Sequence, residues 1–263
     1  MSGPLDLRAV DRAGTAEQPP RKEWLGVIGG MGPLATADFL AKLVEATPAT
    51  SDQQHIPVLV HGDPRVPDRT DALLHRGASP LPALVEAVRF LNRCKVGIIA
   101  MPCNSAHAWF EELRAVSEAP ILDIIAATSA LAEETAPALG SIGVLATAGT
   151  ERVGLYHRAL RARGWDIVEV DRGQRRDLDR GIAAVKAGDV VFGRQLVERV
   201  AHGLVRQGAG TLVAACTEVS TVLDVEDDGA PVPLIDSSTA LALACVRALS
   251  ANSSSRTREE TQT

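Results

Sequence analysis

The sequence predicts an α/β protein with parallel sheets arranged in two similar halves, and three observations lead there. Short apolar runs alternate with amphipathic stretches along the chain, the pattern of strand–helix units in a parallel sheet. Hydrophobic residues make up 46% of the 263 positions but aromatic ones only 3%, so the core is aliphatic, as suits strands covered on both faces. Two features also recur at nearly one offset. Leu25-Gly26-Val27-Ile28-Gly29 resembles Ile142-Gly143-Val144-Leu145-Ala146, and the stretch from Val96 to Cys103 resembles that from Thr211 to Cys216. Ile28 and Leu145 lie 117 positions apart, Cys103 and Cys216 113. If the halves face each other, these two cysteines meet across one cleft.

The elements follow in order. Residues 1–22 and 251–263 lack apolar periodicity and read as disordered tails. Strands are expected at Trp24–Ile28, Val58–His61, Val96–Met101, Ile142–Ala146, Ile167–Val170, Thr211–Ala215 and Val232–Ile235. Helices lie between them. The clearest has Phe192, Leu196, Val200 and Leu204 four apart on one face. The expected partition is a first α/β domain of residues 23–124 plus 235–250 and a second of residues 125–234.

Composition excludes several classes. The formal charge is −6 and no basic stripe exists, so nucleic acid is not a partner. No apolar run is long enough to span a membrane, and the polar N-terminus is no secretory signal, so a cytoplasmic protein is expected. The four cysteines, Cys94, Cys103, Cys216 and Cys245, form neither a CxxC motif nor a zinc-spaced cluster. They are expected to be thiols.

Two of them stand in equivalent settings. Met101-Pro102-Cys103-Asn104-Ser105-Ala106-His107 places a cysteine where a buried strand ends and cap-type residues open a helix. Ala215-Cys216-Thr217-Glu218 repeats the layout. Ligands bind at this carboxyl edge in open α/β sheets, and a helix N-terminus there would lower a thiol's pKa and hold a carboxylate. Inverting an amino acid's α-carbon needs a base on one face and an acid on the other, and cysteine can serve as either. The alternative, that each is a small core hydrophobe, stays open. Cys94 and Cys245, in apolar helical settings, are read as packing residues.

Two rival motifs compete. Gly30, Gly32 and Ala35 satisfy a dinucleotide pattern after a strand, with Asp52 downstream, although Pro33 removes a donor where a pyrophosphate would need one. Cys103 and His107, four apart, could form a hydrolase pair that leaves Cys216 unexplained. A catalytically silent amino-acid-binding or nucleotide-binding protein is the alternative of another class.

Taken together, Gly29-Gly30-Met31-Gly32-Pro33, Pro67-Asp68-Arg69-Thr70, Pro102-Cys103-Asn104-Ser105-Ala106-His107, Leu145-Ala146-Thr147 with Gly149-Thr150, Lys186-Ala187-Gly188 and Cys216-Thr217-Glu218-Val219 occur in order over residues 24–250. They resemble the aspartate racemase branch of the Asp/Glu (hydantoin) racemase superfamily. The resemblance implies two α/β domains related by a pseudo-twofold axis, a site between them and a homodimer. It implies a small amino acid substrate and neither pyridoxal phosphate nor metal. It makes Cys103 and Cys216 the acid/base pair, and Arg69 and Lys186 the basic groups for substrate carboxylates or a thiolate. Asn104, Ser105 and Thr217 match positions that hold the α-carboxylate, Met31 a backbone contact, and Thr147 and Thr150 a second-half substrate loop. Both cysteines are kept, unlike in decarboxylase relatives. Glu218 stands where glutamate racemases have His, which favours the aspartate branch and leaves a hydantoin racemase or related isomerase as a further alternative. Ser105 replaces the usual Thr, and Asp63 stands where the family tends to have Asn. A carboxylate at Asp63 beside the cleft would repel an acidic side chain and favour a neutral or diamino acid, unless Asp63 only shapes the turn before Pro64.

Overall fold

The computed structural model describes residues 23–136, 140–223 and 232–260. The first half runs β1 (Leu25–Gly29), α1 (Pro33–Ala46), β2 (Val58–Gly62), α2 (Arg69–Leu73), α3 (Leu81–Cys94), β3 (Ile98–Ala100), a 3-10 turn at Ser105–Trp109, α4 (Phe110–Val116) and α5 (Ile124–Thr135). The second runs β4 (Ser141–Ala146), α6 (Ala148–Arg152), α7 (Leu155–Arg161), β5 (Asp166–Val168), α8 (Arg172–Lys186), α9 (Val190–Arg206), β6 (Thr211–Ala215), α10 (Thr217–Ser220), β7 (Leu234–Asp236) and α11 (Ser237–Glu260). All seven expected strands are present, with ends displaced by two residues at most.

Both sheets are wholly parallel. Their orders are β2-β1-β3 and β5-β4-β6-β7, so one pattern of crossovers is used twice. The repeat is closer than the strand motifs suggest. Ile99 forms an isolated parallel bridge with Ile121, as Leu212 pairs with Leu234 in β7. The Ile99 N–H donates to the Pro120 carbonyl at 2.8 Å, and the Leu212 N–H to the Pro233 carbonyl at 2.9 Å. Asp123 then caps α5, accepting from the Ile125 and Ala126 N–H groups. Asp236 opens α11, accepting from the Ser238 and Thr239 N–H groups. These pairs share the 113-residue offset of Cys103 and Cys216.

The closing helix of each half crosses to the other half. α5 packs on α7, α11 packs on α1, and the two crossing helices touch. Leu25, Val27, Ile98 and Ala100 from the first sheet and Ile142, Val144, Val213 and Ala215 from the second share one apolar cluster with Phe39, Ile124, Tyr156 and Leu241 from these helices. The outer faces have separate clusters, under α3 for the first sheet and under α8 and α9 for the second. On α9, Leu196, Val200 and Leu204 are buried as their spacing requires, while Phe192 is 38% exposed.

A division between residues 234 and 235 cuts β7, which belongs whole to the second sheet through its pairing with β6. The segment from 251, expected as a disordered tail, continues α11 to Glu260. No Gly or Pro interrupts it, and extending an existing helix costs far less than starting one. The expected tail at 1–22 and residues 261–263 lie outside the described residues.

Candidate active site

A cavity of about 330 Å³ opens between the halves. The first half contributes Gly30, Gly32, Pro33, Leu34, Ala35, Pro64, Asp68 and Arg69, and the second Val185, Lys186, Gly188, Glu218 and Thr221. Its size suits a small metabolite. Of the expected site residues, Arg69, Lys186 and Glu218 line it.

Arg69 is buried beside the cavity. It donates through Nη1 to the Val66 and Pro67 carbonyls and through Nη2 to the Met31 carbonyl, while its Nε has no partner. Met31, expected to contact the substrate through its backbone, has its carbonyl on Arg69 and is not among the lining residues. Asp68 caps α2 by accepting from the Asp71 N–H and lies 3.9 Å from Lys186 Nζ. Burial alone would lower the Lys186 pKa. The charges of Glu218, Cys216 and Asp68 outweigh burial and raise it.

Both motif cysteines are 4% exposed and neither is in a disulfide. Cys216 follows β6 directly, and its thiol donates to Glu218 Oε2 at 3.0 Å, which joins it to the cavity wall. The expected lowering of its pKa does not occur. Burial pushes the thiol well above its ordinary value, the Glu218 carboxylate pushes the same way, and Lys186 and a hydrogen bond from the Glu218 backbone N–H oppose without reversing it. α10 has four residues, too short a dipole to reverse this. Cys103 lies in the apolar cluster that includes Met31 and Met101, with Ser105 Oγ at 3.7 Å.

Below each cysteine, the residue four positions on ties the loop to the next helix. His107 Nε2 accepts from the Ile124 N–H at 3.2 Å, so Nδ1 carries the proton and donates to the Cys103 carbonyl at 2.9 Å. The ring bonds backbone rather than the thiol, so the hydrolase pair is absent. Burial lowers the His107 pKa. Ser220, the equivalent residue, donates to the Cys216 carbonyl at 3.5 Å and to Asp236 Oδ1 at 2.5 Å.

Several expected contacts are differently employed. The Asn104 amide oxygen accepts from Tyr156 of the second half and its nitrogen donates to Ser237 Oγ at 3.1 Å, so this side chain joins the halves instead of facing the cavity. Thr217 Oγ1 donates to Glu218 Oε2 at 3.1 Å. Thr147 caps α6 by accepting from the Thr150 N–H and donates to Thr150 Oγ1. Both threonines are buried near the first half, where Gly149 packs against Thr70. Asp63 is not among the lining residues. Its carboxylate accepts from Arg65 Nε at 2.9 Å, Arg65 Nη2 at 3.0 Å and the Arg65 backbone N–H at 2.9 Å. Arg65 holds it down to about 2. The expected repulsion of an acidic substrate therefore loses its source. Sequence reasoning missed Asp68 and Tyr156; the Pro67-Asp68 motif carried a signal for the first, and the second had none.

The glycine loop is not built for a dinucleotide. The Gly30 N–H already donates to Thr36 Oγ1 at 2.9 Å. Gly30 has φ +89, and a Cβ there would meet the Asp63 backbone at 2.5 Å, so this glycine serves close approach to the end of β2. Asp52 lies in a 3-10 turn before β2 rather than at its end.

The family model "Asp/Glu/Hydantoin racemase" matches residues 28–245. The chain is 27% identical over 227 residues to a protein of Bacillus subtilis (strain 168) named "Broad specificity amino-acid racemase RacX", a match covering 84% of this chain and 96% of that one. Its fold superposes on Picrophilus torridus aspartate racemase with a TM-score of 0.79 at 31% identity, covering 87% of this chain and 94% of the other. Glutamate racemase isoform RacE1 from Bacillus anthracis shares the fold at 19% identity and a TM-score of 0.62, with 87% and 82% of the two chains covered. The chain belongs to the Asp/Glu/hydantoin racemase family.

Proposed function

We propose that this amino acid racemase inverts its substrate's α-carbon with Cys103 and Cys216 as opposed acid and base. The observation that carries the reading is their placement: equivalent cysteines follow equivalent strands of the two halves, and the Cys216 thiol bonds Glu218 on the wall of the cavity between those halves. One thiolate takes the α-proton as the other thiol delivers a proton to the opposite face, so neither needs to change role within one inversion.

Arg69 is the carboxylate anchor. It is a buried cation whose hydrogen bonds, among the described residues, run to carbonyls, which leaves its charge for an anion. Lys186 is the second cation on the wall, and with Asp63 taken up by Arg65 an aspartate-like substrate is the first choice. A second reading has one specific support. Lys186 lies between Asp68 and Glu218, which offset its charge, and Pro33, Leu34, Pro64 and Val185 give the wall an apolar surface. On that reading Arg69 holds the α-carboxylate common to all substrates and neutral side chains are accepted.

A panel of L-amino acids, with aspartate, glutamate, serine, alanine and a short diamino acid, assayed for chirality change without added cofactor, tests the function. Aspartate is expected to be turned over fastest. Comparable rates on neutral side chains would select the second reading, and no inversion of any member would refute racemase function on these substrates.

A further inference from the structure

The two cysteines occupy equivalent places, yet the residues two positions beyond them differ in kind. The first half has Ser105, 3.7 Å from Cys103 Sγ and absent from the cavity lining. The second has Glu218, 3.0 Å from Cys216 Sγ and on the cavity wall. Glu218 Oε2 also accepts from Thr217 Oγ1, so the carboxylate is fixed against the thiol from two directions. The charged groups facing Cys216 are Glu218 from its own helix and Lys186 from α8, and Lys186 in turn pairs with Asp68, the cap of α2, and faces the like charge of Arg69.

We propose that Glu218 is the proton partner of Cys216 alone: it keeps that proton on the thiol between turnovers and carries it to and from the cavity, while Cys103 works without a carboxylate. The inference rests on the reading of the two cysteines as the acid/base pair. When Cys216 acts as the acid, its S–H bond breaks, a C–H bond forms at the α-carbon and a thiolate remains. Water in the cavity then gives a proton to the Glu218 carboxylate, the hydroxide left behind is neutralised by the proton that Cys103 took from the substrate and releases, and the new Glu218 O–H bond breaks as the S–H bond re-forms. When Cys216 acts as the base, the α C–H bond breaks, the S–H bond forms and the proton leaves by the reverse path. No electrons are gained or lost. Burial and the neighbouring carboxylate both disfavour the Cys216 thiolate, which agrees with a resting thiol. The two half-reactions of a symmetric fold are thereby served by chemically unequal groups.

The test measures alkylation by iodoacetamide as a function of pH, resolved by peptide mass spectrometry, with no substrate present. Cys216 is followed in a Cys103→Ser background and Cys103 in a Cys216→Ser background, each with and without Glu218→Gln. Loss of the carboxylate is expected to lower the alkylation midpoint of Cys216 by about one pH unit or more and leave that of Cys103 in place. Glu218→Ser gives the second half the hydroxyl found in the first and is expected to act in the same direction. It carries the test should Glu218→Gln not fold by circular dichroism. A Cys216 midpoint that stays or rises, or an equal shift at both cysteines, overturns the proposal. Because the titration needs no turnover, this result is independent of the chirality assay, and either reading can fail alone.

Discussion

At the scale of single residues, chemistry was legible in the sequence where a motif fixes it and illegible where a neighbour decides it. Cys103, Cys216, Arg69 and Lys186 stand out by their motifs. Asp63 shows the limit. Its backbone packs against Gly30 of the glycine loop, and its sequence context cannot reveal that Arg65, two residues on, grips both carboxylate oxygens. Asn104 is similar, because its partners Tyr156 and Ser237 lie 52 and 133 positions away. Asp63→Asn is therefore expected to leave the ratio of activity on aspartate to that on alanine unchanged within about twofold, since an exposed ion pair outside the cavity lining contributes little to selectivity. A rise of roughly tenfold for aspartate, equivalent to about 1.4 kcal/mol, would restore Asp63 to the substrate's side.

At the scale of elements, strand positions were readable because buried parallel strands are continuous apolar runs, whereas strand ends and partners were not. The bridge at Ile121 has no run around it, yet Pro120-Ile121-Leu122-Asp123 and Pro233-Leu234-Ile235-Asp236 share a pattern that extends the internal repeat past the cysteines. Between these landmarks, His107 in the first half and Ser220 in the second hold the cysteine loops to the helices that follow. The histidine makes the first of these ties sensitive to pH. Its folded pKa is below the unfolded value, so protons bind the unfolded chain more tightly. The stability from neutral His107 is complete above about pH 6.5 and is lost as pH falls from there through the folded pKa. Protonation also leaves the Ile124 N–H facing a second donor, a fault worth about 1–3 kcal/mol. The thermal midpoint should thus fall between about pH 7 and pH 5.5, before most carboxylates titrate. His107→Gln should unfold at a lower temperature at pH 7 and show a flatter dependence. Parallel pH profiles for the two proteins would assign the effect elsewhere.

At the scale of the whole molecule, the repeat and the exchanged helices account for the site. Each half supplies one strand-end cysteine. α5 and α11 cross over, so one apolar cluster spans both sheets and holds the cavity walls in a fixed relation. The two-half plan was legible from a pair of echoes, and the expected partition of 23–124 plus 235–250 against 125–234 already grouped α11 with the first half and α5 with the second. Among the described residues no helix is long and apolar enough to cross a membrane. The central claim is that two opposed cysteines share one inversion, and hydrogen exchange at the α-carbon addresses it directly. The parent protein, Cys103→Ala and Cys216→Ala are each incubated in D₂O with the L- and the D-form of the substrate found by the panel, and chirality and α-deuterium are read together. The parent should racemise both enantiomers with deuterium gained at the α-carbon. Each variant should lose racemisation by about a thousandfold or more, in the range of a missing acid/base group, and should retain exchange without inversion for one enantiomer only, the opposite one in the two variants. Racemisation at the parent rate by either variant would contradict the account.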